Sequence, residues 1–188
     1  MTTTKRSIRE TSQEEQWFQR IELQRRRKQE EKQLRAGLAA GLGIEDAALL
    51  DALTAIGIDR DKLPAIEWVP LVLVAWADGA VQAGERDAIL RAAESTGLAP
   101  GSPPLELLRE WLESESRGDL LGAWKAYLAA VSRREDAGAQ RAREAWVRSR
   151  AREVAEAAGG WLGFAKVSSG EGSVMLEVAR AFRTAQRR

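Results

Sequence analysis

Two carboxylates lie seven residues apart on either side of a predicted turn, and they are the side chains best placed to bind a ligand. Asp78-Gly79 ends an apolar segment, and Glu85 begins an amphipathic one. In an antiparallel helical hairpin the two carboxylates would be neighbours, and they would repel unless a cation or an arginine lay between them. Carboxylate oxygens suit calcium, magnesium or manganese. In the competing interpretation Asp78 bonds to the amides of the turn, Gly79 takes a positive φ and Arg86 screens the charge.

A short internal repeat adds a third carboxylate. When Glu85 is aligned with Glu171, the Val four positions earlier and the Gly one position earlier also match. The repeat predicts two similar hairpins that complete each other's core and bring Asp78, Glu85 and Glu171 into one pocket. The spacing is not that of a twelve-residue calcium loop, so backbone carbonyls and water would have to complete a metal site.

The residue types that are absent restrict the chemistry. The chain has no Cys and no His, which removes disulfides, thiolate nucleophiles, the commonest general base and the usual zinc ligands. The glycine-rich "SSGEGS" lacks the lysine and the strand context of a phosphate-binding loop. An enzyme and an organic cofactor are therefore not expected. A carboxylate hydrolase using Asp78 and Glu85 is the one enzymatic alternative.

Alanine, leucine, glutamate and arginine dominate with helical spacing, so the fold class is predicted to be all-α. The seven Trp residues are interpreted as large core residues. No apolar run reaches the roughly 18 to 20 residues of a membrane span, and the first sixteen residues lack the apolar middle of a signal peptide, so a cytoplasmic location is expected. After the N-terminal helix, further helices are predicted at 45–57, 65–76, 85–97, 103–112 and 119–131, and in the segments 146–158 and 174–182.

The N-terminal segment predicts a long charged helix from about Ser12 to Ala36, separated by three glycines from the rest of the chain. The chain is therefore predicted to have two domains: an extension, 1–36, and a helical domain, 37–188. One interpretation docks this helix by its first apolar turn and leaves the remainder exposed. A second makes it a partner-binding helix that uses the following residues: Trp17, Phe18, Ile21, Arg25, Arg26 and Arg27. Nucleic-acid binding is less favoured, because glutamates interrupt the basic run and no aromatic residues interleave with it.

Charge is distributed unevenly along the chain. Residues 1–36 hold ten Lys/Arg against six Asp/Glu, residues 37–131 hold seven against fifteen, and residues 132–188 hold twelve against seven. The pattern predicts that the basic ends fold over the acidic middle, or that the middle faces a cation.

The segment "VLVAWADGAVQAGERDAILRAA" resembles the signature of TerB-like domains, the tellurite-resistance family. "GGWLGFAKVSSGEGSVML" is similar to the second half of that signature, and "EEQWFQRIELQRRRKQ" is similar to the charged leading helix of a related bacterial group. The resemblance implies a non-enzymatic all-helical bundle of two similar hairpins in a stress-response or envelope-associated complex. It also implies divalent-cation binding, with Asp78 and Glu85 matching the first half and Glu171 the second. The second half lacks Asp-Gly, so one cation site or none is implied.

The sequence thus favours a cytoplasmic binding or scaffold module that meets a protein partner and binds a divalent cation. The alternative is a purely structural protein–protein adaptor without metal. A homo-oligomer is left open.

Overall fold

The fold is all-α in the residues that the computed structural model describes. These are the backbone of residues 3–114, 118–157 and 169–186 and the side chains of residues 16–114, 118–153 and 172–186. Within them no helix combines the length and the apolar character needed to cross a membrane. The helices of the described residues are α1 (Thr3–Leu42), α2 (Ala47–Ala55), a short 3₁₀ helix (Leu63–Trp68), α3 (Val69–Ala75), α4 (Ala83–Ser95), α5 (Pro103–Glu113), α6 (Leu120–Ser132), α7 (Ala137–Ala157) and α8 (Ser169–Gln186).

The predicted end of the N-terminal helix at about Ala36 is wrong, because α1 continues through Gly37 and Gly41 to Leu42. A glycine inside a helix costs about 0.5–1 kcal/mol, and the buried side chain of Leu38 offsets this cost by about 1.5–3 kcal/mol. A Cβ added at Gly41 would lie 3.4 Å from the Cγ of Arg60, an ordinary contact distance, so α1 packs beside the segment after α2 at this position. Gly43, with φ of +64°, follows the end of the helix.

Several predicted helix boundaries are confirmed, and each has a local cause. Asp46 caps α2 by accepting hydrogen bonds from the amides of Ala48 and Leu49, and Gly57 follows the helix with φ of +85°. Pro103 begins α5. Asp119 caps α6 by accepting from the amide of Gly122 at 2.7 Å.

The predicted central helix is divided into the 3₁₀ helix and α3. Pro70 lies in the first turn of α3, where its missing N–H has no intrahelical partner to lose. Two tryptophans connect this region to its neighbours: the Trp76 indole donates to the carbonyl of Trp111, whose own indole donates to the carbonyl of Ile56. This part of the bundle is therefore held by directional bonds as well as by apolar packing.

The helices of the two predicted hairpins, α3 with α4 and α7 with α8, contact each other between the pairs. Helix α4 contacts α7, and α3 contacts α8. The core around them includes the buried Trp68, Trp111 and Trp124, with Trp124 edge-to-face against Phe182 at 5.5 Å. The corner between α7 and α8, residues 158–168, and the side chain of Glu171 lie outside the described residues. The repeat therefore stays a prediction.

Candidate functional site

Asp78 lies at an exposed corner that its glycine neighbour shapes. The amide of Gly79 donates to the carbonyl of Trp76 at 2.9 Å, which closes the turn after α3. Gly79 has φ of +87°, as the turn interpretation predicts. Since a Cβ is disfavoured there, a residue other than glycine would strain the corner.

Glu85 has a defined structural role at the start of α4. Its Oε2 accepts a hydrogen bond from the Gln82 amide at 3.0 Å, while the Gln82 side chain accepts from the Glu85 amide. This reciprocal arrangement is a capping box, and it places a carboxylate where the helix dipole favours negative charge. Arg86, expected to screen the corner, forms an ion pair with Asp87 at 3.1 Å.

Replacing Glu85 with Ala is expected to lower the free energy of unfolding by about 0.5–1 kcal/mol, because one helix cap is lost. Glu85→Gln should cost less, since its amide oxygen can still accept from Gln82. Urea titration followed by circular dichroism measures both. Glu94→Ala, at the exposed other end of α4, is the matched control and should stay within about 0.5 kcal/mol. An equal loss at positions 85 and 94 would contradict the capping role.

The predicted cation site stays a prediction. Among the described residues no three or more Asp or Glu side chains come together as a group able to hold a metal ion. The third predicted ligand, Glu171, has its side chain outside that part of the chain.

The predicted partner-binding aromatic residues lie on the exposed part of α1. Trp17 is 52% exposed and Phe18 is 64% exposed, with their rings edge-to-face at 5.1 Å, and Ile21 is half-buried beside them. Docking of α1 by its first apolar turn is therefore wrong. The helix is anchored at its other end, where Leu38 is buried and Arg35 pairs with Asp51 at 2.7 Å.

The exposed length of α1 is considerable. Every residue of 16–36 except Ile21 is exposed. At a rise of about 1.5 Å per residue, the nineteen residues of 16–34 extend roughly 28 Å. We call residues 16–34 of α1 the arm. The expectation that the basic N-terminal region folds over the acidic middle is not met by the arm, which is solvated on all sides apart from Ile21.

Polar side chains of four segments form a cluster that the sequence interpretation missed. Arg143 on α7 pairs with Glu67 on the 3₁₀ helix and with Glu135 before α7. The hydroxyl of Tyr127 on α6 donates to Glu67 at 2.9 Å, and the guanidinium of Arg143 lies 5.7 Å from the centre of the Tyr127 ring. The side chains of Arg143, Glu67 and Glu135 are only 19%, 26% and 22% exposed.

Electrostatics in this cluster favour the charged arginine and the neutral phenol. Burial opposes the charge on Arg143, but the hydrogen bond that Arg143 donates to Glu135 and the charge of Glu67 outweigh it and raise the pKa of Arg143. Burial, reinforced by the Glu67 carboxylate, raises the pKa of Tyr127 well above its ordinary value. A charged Arg143 and a neutral Tyr127 can both bond to the Glu67 carboxylate, so the cluster links α6 and α7 to the 3₁₀ helix. The one sequence signal was Glu67 itself, the single charged residue from Leu63 to Ala77.

Tyr127 is the only tyrosine of the chain, so its ionisation can be read directly. In the folded protein the tyrosinate absorbance should stay absent well above pH 10, whereas the urea-unfolded chain should titrate near 10. Because the folded pKa is raised, the contribution of Tyr127 to stability is complete below about pH 10 and declines above it. Tyr127→Phe should flatten that decline. Titration of the folded chain near pH 10 would contradict the bonding of Tyr127 to Glu67.

An open groove of about 220 Å³ lies between α6 and α8. Its charged lining residues, Lys125 and Arg180, both pair with Glu177, at 2.7 and 3.1 Å. Lys125 first, and then Arg180, lowers the pKa of the Glu177 carboxyl. The groove therefore has its charges already matched, and we assign it no ligand.

The chain matches no protein-family model, no curated protein and no solved structure. The resemblance to TerB-like domains therefore stays an expectation, which rests on residues 72–93, 159–176 and 14–29.

Proposed function

We propose that the protein is a non-catalytic binding module whose arm docks a protein partner. The observation that carries the proposal is the exposure of Trp17 and Phe18 on a helix whose described anchoring contacts lie at its C-terminal end, around Arg35 and Leu38. Large aromatic side chains dominate the energy of protein interfaces, because they bury much apolar area while ordering few torsions. The resemblance of residues 72–93 to TerB-like domains supports a module of this kind in a stress-response or envelope-associated complex.

The test is affinity capture from native lysate by the tagged full chain. The variant Trp17→Ala/Phe18→Ala should lose a protein that the wild type retains. The matched control is Leu23→Ala/Leu34→Ala, because these leucines are also exposed, at 56% and 41%, but lie on the other side of the helix. Equal retention by both variants would refute the proposal.

Cation binding by Asp78 and Glu85 is a separate part of the proposal. An ion that binds the native state raises the melting temperature, by an amount equivalent to about 2.7 kcal/mol at a hundred times its Kd. Melting is compared in calcium, magnesium, manganese and chelator. A rise that Asp78→Asn abolishes would support the site. If saturating ion does not raise the melting temperature, the alternative of a structural adaptor that binds no metal would remain. Capture in the presence of chelator shows whether the partner needs the ion.

A further inference from the structure

The arm carries a continuous basic stripe beside its aromatic residues. Arg25, Lys28 and Lys32 follow Phe18 and Ile21 at intervals of three and four residues, so all five lie on one face of the helix. At about 100° per residue, Glu30 lies on the far side of the helix, and Glu22 and Glu31 flank the stripe. The glutamates that interrupt the basic run in the sequence thus do not interrupt it on the helix.

The three cations of the stripe have no carboxylate partner among the side chains that the structure describes. Arg26, off the stripe, pairs with Glu22 at 3.8 Å, and Arg35 pairs with Asp51. Arg25, Lys28 and Lys32 are exposed and form no ion pair with any carboxylate in the described part of the chain. An unpaired stripe of this kind attracts an anionic surface.

Helix α5 presents an acidic stripe with the complementary spacing. Glu106, Glu110 and Glu113 are exposed, at intervals of four and three residues, on the side of α5 opposite the core. The buried side of this helix consists of Leu105, Leu107, Leu108, Trp111 and Leu112. The carboxylate of Glu106 pairs with Arg109 at 3.6 Å, and the side chain of Glu106 is half exposed. In both stripes the first and last residues are seven positions apart, about 10 Å of helix.

The two stripes match in register when the helices run antiparallel. Arg25 then lies opposite Glu113, Lys28 opposite Glu110 and Lys32 opposite Glu106. The stripes do not meet within one chain, because α1 is one continuous helix and every residue of the arm except Ile21 is exposed. A parallel pair of two arms is disfavoured too, since it would set the three cations of one arm against those of the other.

We infer that the occupant of the basic stripe is helix α5 of a second copy of this chain. The inference rests on the proposed function and names the partner of the arm. The formal net charge of +1 gives no strong repulsion between copies. The contact between the two stripes is electrostatic, so the association weakens as ionic strength rises.

Sedimentation velocity over a range of concentrations, at low and high ionic strength, tests this inference. The wild type should self-associate at low ionic strength. Arg25→Glu/Lys28→Glu/Lys32→Glu should weaken association at least about tenfold, because three attractive contacts become repulsive. The matched control Arg20→Glu/Arg26→Glu/Arg27→Glu changes the net charge equally but leaves the stripe intact, and it should keep most of the association. Circular dichroism confirms that each variant is folded.

Reciprocal reversal distinguishes this pairing from general charge effects. Glu106→Lys/Glu110→Lys/Glu113→Lys alone should also weaken association. Mixing this variant with the reversed arm variant, or combining both sets in one chain, should restore it. Failure of both to restore association would overturn the inference, as would a wild type that stays monomeric at low ionic strength. In that case a salt-dependent gel shift that needs the same three cations would assign the stripe to nucleic acid. Capture of another protein through Trp17 and Phe18 would leave the proposed function standing without self-association.

Discussion

Replacing Arg143 with Met is expected to lower the free energy of unfolding by about 3 kcal/mol, the low end of the cost of breaking a buried ion pair from one side, because the three side chains are half-buried. The loss leaves two half-buried carboxylates, Glu67 and Glu135, without their common partner. Glu67 keeps the hydrogen bond from Tyr127, but no cation then offsets the desolvation of the two carboxylates or their mutual repulsion. Urea unfolding of the full chain gives the value.

Arg148→Met is the matched control for this prediction. Arg148 lies on the same helix, but its side chain is 68% exposed and its partner Glu144 is four residues away. Such a pair contributes about 0.3–0.5 kcal/mol, so the control should show little loss. Neutralising both carboxylates along with Arg143, as Glu67→Gln/Glu135→Gln/Arg143→Met, should recover part of the stability. Equal effects at positions 143 and 148 would show that the cluster does not stabilise the fold.

The second large effect is expected on binding. Trp17→Ala/Phe18→Ala should weaken affinity for the captured partner by about 2 kcal/mol or more, roughly thirtyfold, if these rings are the central contacts. Stability should hardly change, within about 0.5 kcal/mol, since both side chains are more than half exposed in the free chain. Titration calorimetry gives the affinity, and urea unfolding gives the stability.

Two results would contradict this second prediction. The control Leu23→Ala/Leu34→Ala should keep its affinity within about threefold, and an equal loss there would mean that the arm acts through general hydrophobicity. A large loss of stability in the aromatic variant would mean that Trp17 and Phe18 pack against the chain itself.

Several boundaries of the helices after α1 could be predicted because they depend on local chemistry. Asp46, Gly57, Pro103 and Asp119 each act on the backbone within a few residues, so their effects can be read from sequence. The buried leucines of α2 and α5 also follow from helical spacing. The end of α1 could not be predicted in this way. Gly37 and Gly41 disfavour a helix by local preference, but the helix continues through them to Leu42 and buries Leu38, a tertiary contact that local preference does not reveal.

The functional residues also differ in whether they depend on local sequence signals, which can be predicted, or on tertiary contacts, which cannot. The exposed aromatic turn of the arm was recognisable, because three apolar residues stand beside a long charged run. Whether that turn packs against the rest of the chain or projects into solvent depends on tertiary contacts. The Arg143 cluster was missed since its members are separated by up to 76 residues, and charge spacing along the chain does not reveal such pairs. Glu85 was recognised as a residue at a helix start, and its partner Gln82 defines a capping role.

Hydrogen exchange over the whole chain, free and with saturating partner, tests the role of the arm most directly. The proposal predicts that binding slows exchange in the arm around Trp17 to Lys32, with the face of α5 around Glu110 also protected when the partner is a second copy. Unchanged exchange in the arm, with protection confined to the helices after α1, would contradict the proposal that the arm binds the partner.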